Sequence, residues 1–299
     1  MSCELTVFTP LYNREEYIDR LYDCLCEQSD KNFKWLVIDD GSKHDSTERF
    51  LALADKADFS IAYKYKPNGG KHTAINMASQ LIETRFTLIL DSDDVLTNDA
   101  VETVNKYIAK YSCDDTIGIL SFQRGYSDRE PVRFEKDEEV SDHISYRINR
   151  NLPGDCCEVI RTAVLQEYPF PVFEGEHFME ESHLWIGSAD KYKTVYVRKV
   201  IYLCKYLEDG LTKAGRQMRR NCPLGGMHCQ NVGLNPRCSF KFRAKKAMLL
   251  IYYGKVRGMK MSEIRKQSPC PGFVGLFTVP GLLLYLYWER KYGPRDGEE

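Results

Sequence analysis

The first 125 residues alternate between short runs of branched and aromatic residues and stretches in which apolar residues recur at helical spacing. The apolar runs predict strands at 5–12, 34–40, 59–66, 86–94 and 117–123. The stretches between them predict helices at 14–28, 45–57, 70–84 and 98–111. Strands and helices that alternate in this way form right-handed crossovers around a mostly parallel sheet covered by helices on both faces. The first half of the chain is therefore predicted to be an α/β domain of the nucleotide-binding type.

The rest of the chain has a different pattern. Residues 126–150 are charged and poor in apolar residues, which indicates a surface excursion. The following segments predict helices at 159–170 and 180–192, then a strand at 193–206. Beyond residue 215 the predicted structure is helical, with a basic helix at 240–258 and an apolar run at 273–288. We therefore expect an α/β domain over 1–215 and a helical region over 216–299.

Charge separates the same two regions. The overall composition, 43% hydrophobic and 28% charged, is that of an ordinary globular protein with a net charge of −1. Residues 216–299, however, contain 16 Lys and Arg against 5 Asp and Glu, whereas the first 215 residues contain 26 against 38. This asymmetry indicates that the two regions meet different surroundings.

The apolar run at 273–288 suggests a membrane contact. Its 16 residues are fewer than the ~20 needed to span a bilayer, and Pro280 and Gly281 interrupt it. Basic residues on both sides favour a helix that lies in one leaflet of an anionic membrane. The alternative is a helix that packs onto the α/β core.

Cysteine usage bears on the compartment. The chain has 11 cysteines, and the start "MSCELTVFTP" does not resemble a signal peptide, so we expect reduced thiols in the cytoplasm. One group of residues, Cys222, His228, Cys229 and Cys238, raises the alternative of a zinc site. Its spacing matches no regular zinc module.

Polar clusters follow four of the predicted strands. They are Thr9 to Asn13, Asp39 to Ser42, Pro67 to Lys71 and Asp91 to Asp94. In open α/β sheets ligands bind beyond the carboxyl ends of the strands, so these four loops are expected to converge on one binding site.

The stretch "LILDSDDVL" brings three carboxylates together after a buried strand: Asp91, Asp93 and Asp94. Residues two apart in extended chain share a face, so Asp91 and Asp93 can converge. A divalent cation such as Mg²⁺ or Mn²⁺ would remove the repulsion between them. Capping of the next helix is the alternative, but it accounts for only one of the three.

The other clusters carry groups suited to a nucleotide. A carboxylate at Asp39 or Asp40 can accept hydrogen bonds from a base or ribose, although an acidic turn built on Gly41 explains the pair equally well. Tyr12 and Asn13 are candidates for the base pocket, and Lys71 for a phosphate contact.

The stretches "TVFTPLYNREEYIDRLYDCLCEQSDKNFKWLVIDDGSKHDST", "NGGKHTAINMA" and "LILDSDDVL" resemble glycosyltransferase family 2, the inverting enzymes with the GT-A fold. The similarity covers about the first 125 residues and extends more loosely to about residue 212. It implies a nucleotide-diphosphate sugar as the donor, with a UDP-sugar expected before other nucleotide sugars, and an Mg²⁺ or Mn²⁺ ion as the cofactor.

The resemblance also implies roles for individual residues. Thr9, Tyr12 and Asn13 match the opening motif of the family, Asp39 or Asp40 its base-binding acid, and Asp91-Ser92-Asp93 its DxD motif. Within that motif, Asp93 would contact the metal, and Asp91 would face the ribose or support the metal shell.

An inverting reaction needs a base for the acceptor hydroxyl. "FMEESHLW" resembles the acidic stretch of the family near the acceptor, which implies Glu181 as the base and Glu180 as the alternative. The structural alternative is that both acids lie in the first turn of a helix, where their negative charges interact favourably with the helix dipole. His183 is a candidate for contact with the diphosphate, and Trp185 for stacking on a sugar or filling the core. Residues 205–212 resemble a stretch that closes the site in several relatives.

These observations predict an inverting, metal-dependent glycosyltransferase in the cytoplasm, peripheral on the inner face of the cell membrane. By the same resemblance, the acceptor would be a saccharide, for example one linked to a polyprenyl lipid during surface polysaccharide assembly. A nucleotidyltransferase is an alternative, but "TPLYNREEY" lacks the glycine-rich basic loop expected of one. A non-catalytic nucleotide-sugar-binding protein of the same fold is another. Nucleic-acid binding is not expected, because long apolar runs interrupt the basic C-terminal region.

Overall fold

The structure, a computed structural model, describes residues 3–126, 129–204 and 211–292. The chain divides into two compact units. The first comprises Met1–Phe170 and Ser188–Leu207, and the second comprises Pro171–Gly187 and Glu208–Glu299.

One sheet organises the first unit. Its strands are β1 Leu5–Leu11, β2 Lys34–Asp39, β3 Ser60–Tyr65, β4 Phe86–Ile89, β5 Val95–Leu96, β6 Ile117–Tyr126, β7 Glu138–Ser141, β8 Cys156–Arg161 and β9 Lys193–Cys204. Its helices are α1 Ile18–Cys26, α2 Thr47–Ala54, α3 Lys71–Leu81, α4 Ala100–Tyr111 and α5 Thr162–Glu167.

The strand order explains why the loops meet. The order is β3-β2-β1-β4-β8-β6-β9-β5, with β7 paired to β9. Strands β3, β2, β1 and β4 are parallel, and β6 and β9 run in the same direction, whereas β8, β5 and β7 run the opposite way. In this register Leu11 lies beside Asp39, and Asp39 beside Tyr65. The predicted mostly parallel α/β sheet is confirmed, and its carboxyl ends line up at one edge.

Helices cover the sheet because its strands are apolar on both faces. Leu5 and Val7 of β1 belong to the same buried cluster as Leu21 of α1 and Val104 of α4. Phe8, which alternates with them and is also buried, points to the other face. Helix α3 contacts β1 and β2.

Two parts of the first unit differ from the sequence prediction. Residues 126–150 are more than a surface excursion, since they supply β7 and the fully buried Tyr146, whose ring stacks 3.9 Å from that of Tyr196. Aromatic residues scattered among the charges thus build a small core of their own. The helix predicted at 159–170 begins only at Thr162, because Val159 and Ile160 are buried in β8 between β4 and β6.

The second unit is helical. Its helices are α6 Ser182–Gly187, α7 Leu211–Arg220, α8 Pro223–Val232, α9 Phe240–Val256, α10 Met261–Lys266, α11 Pro271–Leu276 and α12 Thr278–Tyr292. Helix α9 is the centre, with α8, α10, α11 and α12 packed on it around a core that includes Leu250, Ile251 and Ile264.

This unit also takes in Pro171–Gly187, which the predicted boundary at residue 215 assigns to the first domain. Side-chain contacts explain the difference. The buried Glu176 accepts hydrogen bonds from the backbone N–H groups of Leu224 and Gly225 at 2.8 Å each, where α8 begins. The segment therefore anchors α8.

The apolar run at 273–288 is divided between α11 and α12. Pro280 falls in the first turn of α12, where a missing N–H group costs little. Within the described ranges, no helix combines the length and apolarity needed to cross a membrane.

None of the 11 cysteines, all of which lie within the described residues, forms a disulfide, and Cys113 alone among them is exposed.

Candidate functional site

Asn13 connects the loop after β1 to the loop after β2. Its backbone is in the left-handed region, with φ of 48°. The N–H group of Asn13 donates to the hydroxyl of Ser42 at 2.8 Å, and its side-chain oxygen accepts the N–H of Lys43 at 3.0 Å. The predicted opening motif and the predicted acidic loop are thus joined by two hydrogen bonds.

Two other residues of the opening motif have different environments. Tyr12 is 49% exposed at the end of β1, so its ring is accessible to a ligand. Thr9 is fully buried, and its hydroxyl accepts a hydrogen bond from the indole N–H of Trp35 at 3.0 Å. The Thr9 side chain therefore holds β1 in the core, and in this structure it is not presented to a ligand.

The two carboxylates that follow β2 are both buried and hydrogen-bonded. Asp39 accepts the N–H of Ser42 at 2.7 Å and the hydroxyl of Tyr63 at 2.9 Å. The pKa of Tyr63 is raised by burial and by this bond to a carboxylate. Asp39 thus belongs to the wall of the site, where it connects the loop after β2 to β3.

Asp40 organises the loop before α3. It accepts the N–H groups of Gly69 at 3.0 Å and Gly70 at 2.7 Å, and it is paired with Lys66. These glycine N–H groups are therefore directed at Asp40. The loop is held close to the end of β2.

Gly41 allows this close approach. Its φ is 86°, and a Cβ atom there would lie 2.5 Å from the backbone nitrogen of Asn68. Only glycine combines the left-handed backbone with the absence of a side chain.

Asp91 sits among cationic groups just beyond β4. Its carboxylate lies 2.7 Å from Lys71 Nζ and 3.8 Å from Arg124 Nη1, and its N–H donates to the hydroxyl of Tyr202 at 2.9 Å. Burial opposes ionisation of Asp91, but the charges of Lys71 and Arg124 outweigh it and lower its pKa. Lys71, predicted to contact phosphate, contacts this acid in the structure.

Arg124 and Tyr202 are site residues that the sequence did not indicate. The guanidinium of Arg124 lies 4.3 Å from the ring centroid of Tyr202, and its Nε donates to the carbonyl of Cys156 at 2.8 Å. These contacts fix the cation beside Asp91. Arg124 lies near the end of β6, at the same sheet edge, which is the signal that could have revealed it.

The remaining residues of the acidic stretch differ in burial. Ser92 and Asp93 are partly exposed, and the backbone carbonyl of Asp93 accepts a hydrogen bond from Arg20 at 3.3 Å. Asp94 is 8% exposed, and burial together with the charges of Asp91 and Asp93 raises its pKa to about 6. The capping alternative for Asp94 is wrong, because Asp99 occupies the position before α4.

The acidic stretch after β4 offers few protein ligands for a divalent ion. Across the part of the chain that the structure describes, no three His, Cys, Asp or Glu side chains are grouped as metal ligands. The zinc alternative around Cys229 therefore gains no support. Mg²⁺ and Mn²⁺ need only one or two protein carboxylates when phosphate oxygens complete the shell. The carboxylates of Asp91 and Asp93, both partly exposed, suit such an ion.

The other predicted residues lie in the helical unit. The carbonyl of Glu181 accepts the N–H groups of Leu184 at 2.9 Å and Trp185 at 3.2 Å, so Glu181 immediately precedes α6. Glu180 is paired with Arg219, whose Nε lies 3.1 Å from its carboxylate. Trp185 is partly exposed on α6.

His183 pairs with another histidine. The Nδ1 atom of His183 lies 2.8 Å from Nε2 of His228. Burial, and then the neighbouring His183, lower the pKa of His228 to about 4. The rings therefore share a hydrogen bond in which His228 is neutral near pH 7.

The structure thus brings most predicted nucleotide-site residues to one sheet edge. They are Tyr12, Asn13, Asp39, Asp40, Lys71, Asp91, Ser92 and Asp93. Of the predicted closing stretch 205–212, residues 205–210 lie outside the described residues.

Residues 6–168 match the family model described as Glycosyl transferase family 2. The chain belongs to this family. The predicted resemblance is confirmed.

Among family 2 relatives, the chain is 31% identical to glycosyltransferase GlyA of Streptococcus pneumoniae over 115 residues, which are 38% of this chain and 16% of GlyA. It spans 30% of an uncharacterized glycosyltransferase of Rickettsia felis. A third relative is covered more fully. The GalNAc(5)-diNAcBac-PP-undecaprenol beta-1,3-glucosyltransferase of Campylobacter jejuni is 24% identical over 261 residues, which are 84% of this chain and 80% of that protein.

Two solved structures share the fold. S. aureus TarS 1-349 in complex with UDP-GlcNAc has a TM-score of 0.58 at 16% identity, over 99% of this chain and 98% of that one. The mannosyltransferase PcManGT from Pyrobaculum calidifontis, in complex with GDP-Man and Mn²⁺, has a TM-score of 0.58 at 17% identity, over 97% and 83%. The GT-A type of fold predicted for this family 2 member is thereby confirmed.

Proposed function

We propose that this protein transfers a sugar from a UDP-sugar to a hydroxyl of a lipid-linked saccharide, with inversion at the anomeric carbon, in polysaccharide biosynthesis. The observation that carries the proposal is the convergence of Asp39, Lys71, Asp91 and Asp93 at the carboxyl edge of the sheet in a family 2 chain. This edge is where α/β folds bind nucleotides.

The residues at this edge divide the tasks of donor binding. Tyr12 offers an exposed ring for stacking on the base, whereas the buried Asp39 carboxylate, hydrogen-bonded to Ser42 and Tyr63, shapes the wall of the base pocket. Lys71 would exchange its contact with Asp91 for a contact with a phosphate oxygen, because the phosphate is also anionic and Arg124 still neutralises Asp91.

Asp93, together with Asp91, would hold the divalent ion. Such an ion stabilises the negative charge that develops on the departing diphosphate. We propose that the reaction depends on Mg²⁺ or Mn²⁺ and on this pair of carboxylates.

We propose Glu181 as the base that takes the proton of the acceptor hydroxyl. Glu180 is less suited, because its carboxylate is engaged in an ion pair with Arg219, whose Nε lies 3.1 Å away. The family resemblance assigns the second acid of this stretch to the same role.

The choice of substrates follows the relatives. TarS was solved with UDP-GlcNAc, and the name of the Campylobacter jejuni relative specifies an acceptor attached to PP-undecaprenol. Another relative, TuaG of Bacillus subtilis, is named as a putative teichuronic acid biosynthesis glycosyltransferase. These names support a UDP-sugar and a lipid-linked acceptor.

A panel of UDP-, GDP- and dTDP-sugars tests the donor part of the proposal. With Mn²⁺ present, we expect a UDP-sugar to raise the melting temperature and to be slowly hydrolysed, and EDTA to abolish hydrolysis. A response to none of the donors would contradict the proposal. Binding of a UDP-sugar with no hydrolysis or transfer under any metal condition would favour a non-catalytic binding protein.

The variants Glu181→Gln and Glu180→Gln form a matched pair for the base. Removal of a general base costs about 10²- to 10⁴-fold in rate. We expect this loss in E181Q, with UDP-sugar affinity unchanged by calorimetry, and a smaller loss in E180Q. If E181Q keeps near-normal turnover, Glu181 is not the base.

A further inference from the structure

Helix α12 is apolar on two sides. On one side it packs against α9: a Cβ atom on Gly281 would lie 2.7 Å from Ile251, and Trp288 makes an edge-to-face contact with Tyr252 at 4.9 Å. This packing leaves the opposite side of α12 uncovered within the helical unit.

A continuous stripe of large apolar residues occupies that uncovered side. Val279, Leu283, Leu286 and Tyr287 recur at helical spacing, and each is 57–67% exposed. We call these four residues the α12 stripe. A helix that is apolar all round is normally buried in a protein core or in lipid.

Two further large apolar residues of the helical unit are exposed. Leu276, at the end of α11, is 75% exposed, and Phe240, at the start of α9, is 68% exposed. The Phe240 ring lies 5.8 Å from that of Phe273 in α11 and 6.2 Å from that of Phe277, which lies between α11 and α12. Exposed apolar side chains thus occur on α9, α11 and α12.

Basic side chains flank this apolar surface. Arg290 follows Leu286 and Tyr287 on the same side of α12, and Lys291 Nζ lies 5.7 Å from the centroid of the Tyr287 ring. At the other end, the Arg243 guanidinium lies 4.4 Å from the centroid of the Phe273 ring, and Lys241 is exposed beside Phe240.

The acidic residue of α12 does not offset these charges. Glu289 is paired with Arg220, 2.8 Å away, on another side of the helix. The stripe is thus bordered by cations, an arrangement that complements a surface with apolar interior and anionic headgroups. A water-soluble protein partner would need both a matching apolar stripe and acidic ends.

We propose that the α12 stripe and its basic flanks bind the protein to an anionic lipid bilayer, with α12 lying in the plane of the interface. The length of α12 fixes this orientation. Its 15 residues extend about 22 Å, which is less than the roughly 30 Å hydrocarbon core of a bilayer. The helix therefore inserts its apolar side into one leaflet while α9 stays on the protein side.

Vesicle sedimentation with the full chain tests this proposal. The vesicles contain equal parts of phosphatidylglycerol and phosphatidylcholine, or phosphatidylcholine alone, and the assay uses neither donor nor acceptor. Failure of the glycosyltransferase proposal would therefore not affect the result. We expect the wild type to bind the anionic vesicles, with weaker binding at high salt.

Two sets of variants separate the apolar and electrostatic parts. Leu283→Gln with Leu286→Gln should reduce binding at least tenfold, because two apolar side chains no longer insert. The matched control, Leu51→Gln with Leu81→Gln, changes two exposed leucines of the first unit and should bind as the wild type does. Arg290→Gln with Lys291→Gln should weaken binding to anionic vesicles about fivefold for each charge removed. Binding to neutral vesicles, which is expected to be weak, should not change.

Three results would overturn the proposal. The first is a wild type that does not sediment with anionic vesicles. The second is a Leu283/Leu286 variant that sediments as the wild type does while circular dichroism shows it folded. The third is a wild type that forms a dimer in sedimentation velocity and does not bind vesicles, together with a Leu283/Leu286 variant that is monomeric. The stripe would then be covered by a second copy of the chain.

Discussion

At the scale of single residues, neighbouring carboxylates in the acidic stretch after β4 have pKa values shifted in opposite directions. Lys71 and Arg124 keep Asp91 ionised in spite of its burial, whereas Asp94 is buried beside other acids and has a raised pKa. The site thus holds, within four positions, one carboxylate whose charged form is favoured and one whose charged form is disfavoured.

Asp94 should make stability depend on pH. Its pKa of about 6 in the folded protein exceeds its ordinary value of about 3.9, so the folded state holds its proton more tightly. The stability associated with this proton is complete below about pH 4 and is lost as pH rises through about 6. In Asp94→Asn this loss is absent. The free energy of unfolding of D94N relative to the wild type should rise by about 2 kcal/mol between pH 4.5 and 7.5.

Urea denaturation at a series of pH values, with EDTA present, measures this difference. Asp55→Asn, an exposed position at the end of α2, is the control and should follow the wild type. Parallel curves for D94N and the wild type would mean that the charge of Asp94 is not penalised by its surroundings.

At the scale of elements, the loops after β2 and β3 depend on each other. Asp40 binds the loop before α3, and the loop can approach only because Gly41 lacks a side chain. A change at one loop is therefore expected to disturb the other.

Gly41→Ala tests this dependence. The variant adds strain from a φ of 86° and a clash with the Asn68 backbone, so we expect a loss of at least 2 kcal/mol in stability and loss of UDP-sugar binding. Gly175→Ala is a matched control, since Gly175 has a φ of 77° with nothing within 4 Å of its added Cβ atom. It should lose only the strain, about 1 kcal/mol. Equal losses in denaturation experiments would show that the close approach has no energetic effect.

The elements also show how far the sequence could predict the fold. The longer strands with branched residues, such as β1, β2 and β9, were found because their pattern is strong. Three were missed. β5 has two residues, β7 is charged at Glu138 and Glu139, and β8 leads directly into α5, so none carries a separate apolar pattern.

The site was predictable where its residues lie at or just beyond the end of a strand, as Asp39 and Asp91 do. Tyr202 was not predictable, because it is separated from Asp91 by 111 positions and meets it only through the pairing of β5 and β9. No local pattern marks which distant residue completes such a contact. The burial of Thr9 was equally hidden, since strand residues that bind ligands and those that fill the core look alike in sequence.

At the scale of the whole molecule, each unit contains a histidine that is neutral when folded. In the first unit, burial and then the charge of Arg147 lower the pKa of His143 to about 3. In the second, burial and His183 lower the pKa of His228 to about 4. Unfolding lets both rings return to about 6.5 and take up protons.

Both units should therefore lose stability in acid. Because the folded pKa values are depressed, the associated stability is present above about pH 6.5 and is lost as pH falls through about 4 and about 3. Between pH 7 and 4.5 we expect His228→Gln to lose about 1 kcal/mol less stability than the wild type, a value reduced for solvent screening. Chemical denaturation measures this, with His44→Gln, an exposed loop position, as control. An unchanged slope in H228Q would contradict the assignment.

The free thiols have a practical consequence. Of the 11 cysteines, all within the described residues, Cys113 alone is exposed, and it precedes β6 at the amino edge of the sheet. The nucleotide loops lie at the carboxyl edge. A maleimide dye used in limiting amount should therefore react first at Cys113, giving the native protein a fluorescent label remote from the donor site without removal of any other cysteine.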